Sequence, residues 1–419
     1  MFDTIRQVFK PQNKDIKSRI MFTLIALFIF KLGTAIRVPG TEDITSSLGV
    51  LELINAMAGG GLKNFSIFAL GVMPYITASI IMSLLQMDIV PYFSELKHDG
   101  NAGRQKINQI TRYLGIGFAF VQGYMMAFAF LGEGSTPLEY MKVAVILTAG
   151  TAFLLWLGDQ ITQKGIGNGI SLIIMAGIVS TMPTMFIDAY GTLVTANANL
   201  FVGIASFAVF IIIYFSIIVG VIFIQQAERR IPIQHANKTV SAYQGKQSYM
   251  PFRLNSAGVI PVIFASSLVA IPATIAGFLG SEKVTLFITN YLSYDTAIGF
   301  ILFVGLIIGF AYFYTFLQIN PDELSENLQK QGGFIPGIRP GKETSSYIRT
   351  ILSRLTIVGA TFLVVIAGLP IVISSFTSLP ANVKIGGTSL LIVVGVALET
   401  YKQIESSLVS RNYKGGYKR

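Results

Sequence analysis

The sequence predicts an all-α integral membrane protein: ten transmembrane helices in two inverted five-helix halves, with a re-entrant segment between the first two spans. Three observations carry that expectation. Hydrophobic residues make up 52% of the 419 and charged residues only 12%, where soluble domains hold about 25% charged residues. Apolar runs recur along the chain at close to the ~20 residues that a spanning helix needs, and mean hydropathy is +0.63. Finally, an interrupted apolar run in the first half has a counterpart in the second. Gly71-Val-Met-Pro-Tyr-Ile-Thr-Ala-Ser79 matches Gly258-Val-Ile-Pro-Val-Ile-Phe-Ala-Ser266 at Gly, Val, Pro, Ile, Ala and Ser. Paired, broken segments in two halves of a membrane protein point to a pathway at the interface of an internal repeat.

Residues 1–19 are polar and basic, without a small-residue cleavage site, and read as a cytoplasmic segment rather than a removable signal. Spans are expected at 20–38, 65–87, 112–131, 141–158, 170–187, 200–224, 256–279, 297–318, 350–373 and 386–402. The halves run 20–190 and 191–402, long polar loops fall at 227–255 and 319–349, and 403–419 is a tail. Lys and Arg crowd the N-terminal segment, loops 2/3, 4/5, 6/7 and 8/9, and the tail. The remaining loops carry only Arg37, Lys63, Lys142, Lys283 and Lys384. This bias places both termini and the two long loops in the cytoplasm. Five spans per half gives the halves opposite topology, so spans 2 and 7 run antiparallel. The halves then face each other like a clam, joined by the outward loop between spans 5 and 6.

Span 2 is interrupted. Gly71 and Pro74 lie inside the apolar run Phe65–Met87. Proline has no N–H and clashes with the carbonyl four residues back, that of Leu70, so a break is expected there. What remains of the helix is ~21 Å long, short of the ~30 Å hydrocarbon core. Broken backbone at that depth is tolerated only beside protein or a water-filled cavity, so this stretch is expected to line the pathway. The segment from Leu53 to Phe68, which opens LINAMAGGGLKNF, comes just before it. Its three glycines form a hinge and its apolar part is too short to span. It is expected to fold back from the outer side as a plug at about 57–68, centred on Gly60, Gly61, Leu62, Lys63, Asn64 and Phe65.

The run Ser66–Gln86 and the run LWLGDQITQKGIGNGISLII (Leu155–Ile174) resemble the two signatures of the SecY family of protein-secretion channels. Similarity continues through PGIRPG at 336–341 and GGTSLLIVV at 386–394 over nearly the whole chain. The resemblance implies a channel in the bacterial plasma membrane that passes unfolded polypeptides across and releases membrane segments sideways into lipid. Such a channel is passive and is driven by the SecA ATPase or the translating ribosome. SecE and SecG are the implied membrane subunits, signal peptides and nascent polypeptides the substrates; no DNA binding is implied. It also implies a pore ring of Val72, Ile76, Ile170, Ile174, Ile263 and Ile392, and a lateral gate between spans 2 and 7 with Thr77 and Ile271 on facing helices. Partner docking is implied at Arg229, Arg230, Lys238 and Arg339. Two Pro-Gly pairs stiffen the turn that presents Arg339. One departure is His235-Ala-Asn-Lys238, less densely basic than is usual in this family.

Several chemistries are excluded. The chain has no Cys, so no disulfide framework, thiolate metal site or cysteine nucleophile exists. Neither HExxH nor Gly-x-Ser-x-Gly occurs, and His98 and His235 lie outside apolar runs. Lys164-Gly-Ile-Gly-Asn-Gly-Ile170 superficially resembles a phosphate loop, but it joins two spans and lacks the required strand and downstream acid. It reads as a tight turn. No catalytic residue, metal or cofactor is expected, and the chain is not read as an enzyme. Apart from Lys31 and the interface-proximal Arg354 and Glu399, no Asp, Glu, Lys, Arg or His lies deep in any span, whereas ion-coupled transporters need intramembrane charges for their relays. An aliphatic constriction closes instead by dewetting, and it favours no particular side chain in a substrate.

Overall fold

A computed structural model describes residues 14–41, 52–86, 90–131, 136–195, 199–235, 248–279, 282–292, 296–376 and 386–415. In the first half, α1 (Lys14–Ala35) is followed by a short α2 (Glu52–Met57), α3 (Met73–Leu85), α4 (Pro91–His98), α5 (Gly100–Leu131), α6 (Pro137–Lys164) and α7 (Gly169–Tyr190), which runs on as a π-helical turn, Gly191–Thr195. The second half holds α8 (Leu200–Gln226), α9 (Ile260–Leu279), α10 (Glu282–Tyr291), α11 (Ala297–Gln318), α12 (Pro321–Lys330), α13 (Lys342–Phe376) and α14 (Gly386–Gly415). Strands β1 (Glu228–His235), β2 (Ser248–Arg253) and β3 (Gly333–Phe334) lie in its long connections.

Six helices, α1, α6, α7, α8, α11 and α13, are long and apolar enough to cross a membrane, and α3 and α9 carry shorter apolar stretches. With α5 and α14, each apolar at one end and polar at the other, they make the ten spans. In α8 only 17% of the most apolar window is buried, and Phe201, Ile212, Phe215 and Phe223 are exposed. A helix apolar on all faces yet so little buried is solvated by hydrocarbon.

The repeated motif builds the same local structure twice. Gly71 has φ 56° and Gly258 has φ 64°, in the left-handed region that only glycine enters freely. Each lies two residues ahead of a helix, at Met73 and Ile260, so Pro74 and Pro261 fall in first turns, where the missing N–H is not needed. Proline therefore starts these helices instead of breaking them. The turns ahead of α3 satisfy their own backbone: Gly71 N–H donates to Phe68 O (2.8 Å) and Met73 N–H to Leu70 O (3.4 Å). From α6, the Thr151 hydroxyl donates to the Gly71 carbonyl at 3.1 Å. Non-helical backbone at membrane depth needs such internal partners.

Two further apolar cores pack the halves, the second taking Met185 and Ala189 from α7. Ala119, Met126, Tyr140, Val143 and Leu147 of α5 and α6 bury Leu62, Phe65 and Ala69. Val221, Val262, Ile307, Leu363 and Leu391 anchor the second half. An Arg112–Asp159 ion pair ties the polar end of α5 to α6. The long connections add a sheet to the helical frame. In it β1 pairs antiparallel with β2, from Glu228↔Arg253 to Ile233↔Ser248, and with β3 through Gln234↔Phe334 and His235↔Gly333. Loops 6/7 and 8/9 thus form one body over a core of Ile231, Phe252, Leu328, Ile335, Ile348 and Leu352.

Candidate functional site

One apolar cluster between the halves draws on both. Val72 caps α3 and accepts the Ile76 N–H at 3.2 Å, which keeps both side chains on one side of that helix start. Ile170 and Ile174 are one turn apart on α7 and so share a face. The fold of α7 starts at Asn168, whose Oδ1 accepts the N–H groups of Ile170 (3.1 Å) and Ser171 (3.2 Å). All six residues expected in the ring fall in this cluster. Val72, Ile76, Ile174 and Ile392 are buried within it, and Ile170 and Ile263 are half-buried at its edge. Two elements come from each half: α3 and α7, then α9 and α14.

The segment ahead of α3 re-enters the molecule and reaches this cluster. Its leading helix, α2, ends at Met57, which is buried in the same cluster. There the Met57 carbonyl lies against Gly177 of α7, so close that a Cβ added at Gly177 would clash with that oxygen. Asn55 folds the segment on itself. Its carbonyl accepts Gly60 N–H (2.8 Å) and its side-chain oxygen accepts Lys63 N–H (3.0 Å). Beyond the glycines the chain is anchored. Leu62 and Phe65 are fully buried under α5 and α6, and the Phe65 carbonyl accepts Val38 N–H at 3.0 Å. Phe65 holds φ 44°, an outlier for a bulky residue that its surroundings must enforce. Phe68 is stacked between Phe30 (ring centroids 6.2 Å) and Phe153 (5.8 Å).

The segment expected as a plug therefore has two parts. α2, just ahead of the expected 57–68 and ending at its first residue, reaches the apolar cluster through Met57. Gly60 and Gly61 turn the chain, Leu62 and Phe65 anchor it, and Lys63 and Asn64 are exposed. The anchoring follows from the large apolar side chains at Leu62 and Phe65 finding sites beneath α5 and α6.

A SecY family model matches residues 66–401. The chain belongs to the SecY family. A protein translocase subunit SecY from Bacillus subtilis (strain 168) is 49% identical over 429 residues, covering 99% of each chain. The solved structure of a protein-conducting channel matches with a TM-score of 0.70 at 21% identity, covering 94% of this chain and 93% of the other. Sec61 in the canine ribosome–channel complex of the endoplasmic reticulum matches with a TM-score of 0.67 at 20% identity, over 94% and 93%. At those identities the likeness is one of fold: the ten-span SecY architecture with its plug.

In this SecY fold, α9 packs on α3 and also on α5, which defines a seam between the halves. Thr77 is half-buried on α3 and its hydroxyl donates back to Met73 O at 3.3 Å. Ile271 is half-buried on α9, just before Pro272 and roughly two helical turns beyond Ile263.

The turn carrying Arg339 is braced on both sides. Ser325 of α12 donates to the Gly341 carbonyl (2.8 Å) and Thr344 of α13 to the Arg339 carbonyl (2.9 Å). Asp322 accepts both the Ser345 hydroxyl and Arg349. Arg339 itself is exposed. On β1, Arg229 and Arg230 are exposed and point to opposite faces. Arg230 is engaged: it binds Glu228 at 2.8 Å and lies 4.7 Å over the Tyr249 ring. The hydrogen bond to Glu228 raises its already high pKa further. Lys238 lies outside the described residues.

Proposed function

We propose that this chain is the protein-conducting subunit of a bacterial translocase, passing unfolded secretory polypeptides through the apolar cluster and releasing membrane segments sideways between α3 and α9. The observation that carries the reading is one aliphatic girdle drawn from both halves, with a re-entrant helix seated against it. Such a girdle excludes water and ions when closed and grips no particular side chain when a polypeptide passes. The reading places the chain in the plasma membrane with both termini in the cytoplasm. Its substrates are signal peptides and nascent chains, SecE and SecG are its membrane subunits, and the SecA ATPase or the ribosome drives it. Sec61 stands in a ribosome–channel complex, which supports the ribosome as a partner, and the joined 6/7 and 8/9 loops offer the docking surface in this reading. Reconstitution with SecE and SecA in vesicles is expected to give ATP-dependent uptake of a secretory precursor into a protease-protected space. Vesicles that hold the assembled protein yet protect no precursor would overturn the reading.

Two variants test its parts. Arg339→Glu reverses one charge on a braced, exposed turn, replacing attraction by repulsion across a docking surface. Its uptake rate is expected to fall roughly tenfold or more, with unchanged membrane levels; near-normal uptake removes Arg339 from the docking surface. Gly177→Ala is directed at the seat of α2. The new methyl cannot coexist with the Met57 carbonyl where it now stands, so α2 must give way. Resting ion leak is expected to rise while the protein still assembles. A Gly177→Ala channel as tight as the parent would mean that α2 takes no part in the seal.

A further inference from the structure

Lys31 is a charge in a place where charges are rare. It sits on α1, about one turn before the helix ends at Ala35. A lysine near a helix end has an easy alternative, to extend its stem and place the ammonium at the membrane surface. Here the residue stays exposed, but its ammonium is directed at the re-entrant segment and α7. Lys31 Nζ donates to the carbonyl of Gly59 and to the hydroxyl of Ser180, both at 3.2 Å. It also borders a cavity of about 320 Å3 that the re-entrant segment and α7 line with it.

Each of these partners belongs to the seat of α2. Gly59 follows the end of α2, where carbonyls lack helical partners. Ser180 passes the interaction on, donating to the Gly177 carbonyl at 2.8 Å, and Gly177 is where the Met57 carbonyl packs. One ammonium therefore joins α1, the turn behind α2 and α7 at the edge of the constriction.

We propose that Lys31 is the positioning residue that holds α2 in its seat, through an ammonium bridge to Gly59 and Ser180 that exists only while the segment is in place. The proposal rests on the channel reading above. Only an interaction that differs between two states shifts their balance, and this one does. When α2 withdraws, the Gly59 carbonyl leaves with it and the ammonium is left to Ser180 and water. Hydrogen bonds from an ionised donor are about twice as strong as neutral ones, so the seated state is the one this residue favours.

The test uses the full chain reconstituted with its membrane partners, comparing Lys31→Met, Lys31→Arg and Ser180→Ala with the parent. Lys31→Met keeps the length of the side chain and removes its donors; its resting ion leak is expected to rise about tenfold. Lys31→Arg retains cationic donors and is expected to stay near the parent leak. Ser180→Ala removes one of the two acceptors and is expected to lie between. Precursor uptake by Lys31→Met is expected to persist, so the ratio of leak to transport moves; a merely misfolded channel would lose transport as its leak changed. A parent-level leak in Lys31→Met, or equal leaks in the Met and Arg variants, overturns the proposal. If Lys31→Met fails to reach the membrane, Ser180→Ala decides alone: a raised leak supports the bridge and an unchanged one overturns it. A parent chain that transports no precursor overturns the channel reading. A transporting parent with tight variants overturns only the role of Lys31.

Discussion

Ile76→Asn is expected to make precursor-free vesicles leak ions by roughly an order of magnitude or more, because a constriction that stays dry only while it is apolar becomes wettable. Ile76 and Ile392 are buried inside the cluster, whereas Ile170 is half-buried at its edge. Ile392→Asn is therefore expected to leak comparably and Ile170→Asn less. An amide left unpaired in this girdle is penalised by roughly 1–3 kcal/mol unless water enters to bind it. The substitution thus favours the hydrated state directly. Ile76→Val is the matching control: it removes one methylene at about 0.5–1.5 kcal/mol and adds nothing polar, so its resting conductance is expected to stay near that of the parent. Single-channel or vesicle conductance without substrate is the measurement. Parent-level conductance in all three Asn variants would take these residues out of the seal.

Much of this arrangement can be read from the residues because its signals are local. The Gly-Val-x-Pro-x-Ile-x-Ala-Ser motif carries its own backbone instructions: glycine for a left-handed turn and proline for a first helical turn. The structure repeats them at Gly71 and Gly258. The i,i+4 pair Ile170 and Ile174 likewise needs only the helical period to share a face. Other features depend on residues distant in the chain and leave no local trace. Whether Pro74 breaks a helix or starts one is decided with help from Thr151 on α6, which satisfies the Gly71 carbonyl. The sheet escapes a sequence reading because Pro232 interrupts the strand pattern of β1 and because β3 comes from a different loop. The division of the re-entrant segment depends on pockets beneath α5 and α6 that receive Leu62 and Phe65. Lys31 stands out from sequence as an intramembrane charge, yet its hydroxyl partner, Ser180, is 149 residues away.

Locking the seam between α3 and α9 is expected to abolish precursor transport and to leave the resting seal intact. The two helices come from opposite halves and pack directly on each other. The constriction lies behind them, with Ile76 on one and Ile263 on the other. In the proposed channel a membrane segment passes from that constriction into lipid when this seam parts. The chain contains no Cys, so Thr77→Cys with Ile271→Cys puts a single thiol pair across the seam. A disulfide needs Cα atoms within ~7 Å. Ile271 lies about two turns past Ile263 on α9, so a bifunctional thiol reagent is included for the case in which oxidation alone leaves both thiols free. Once cross-linked, the channel is expected to retain SecA binding but lose both precursor uptake and sideways release of a signal peptide, and reduction of the disulfide is expected to restore both. Because the lock holds the halves together, resting conductance is expected to stay at the parent level, which separates this effect from that of Ile76→Asn. Full transport by the cross-linked protein would mean that polypeptides pass without the seam opening.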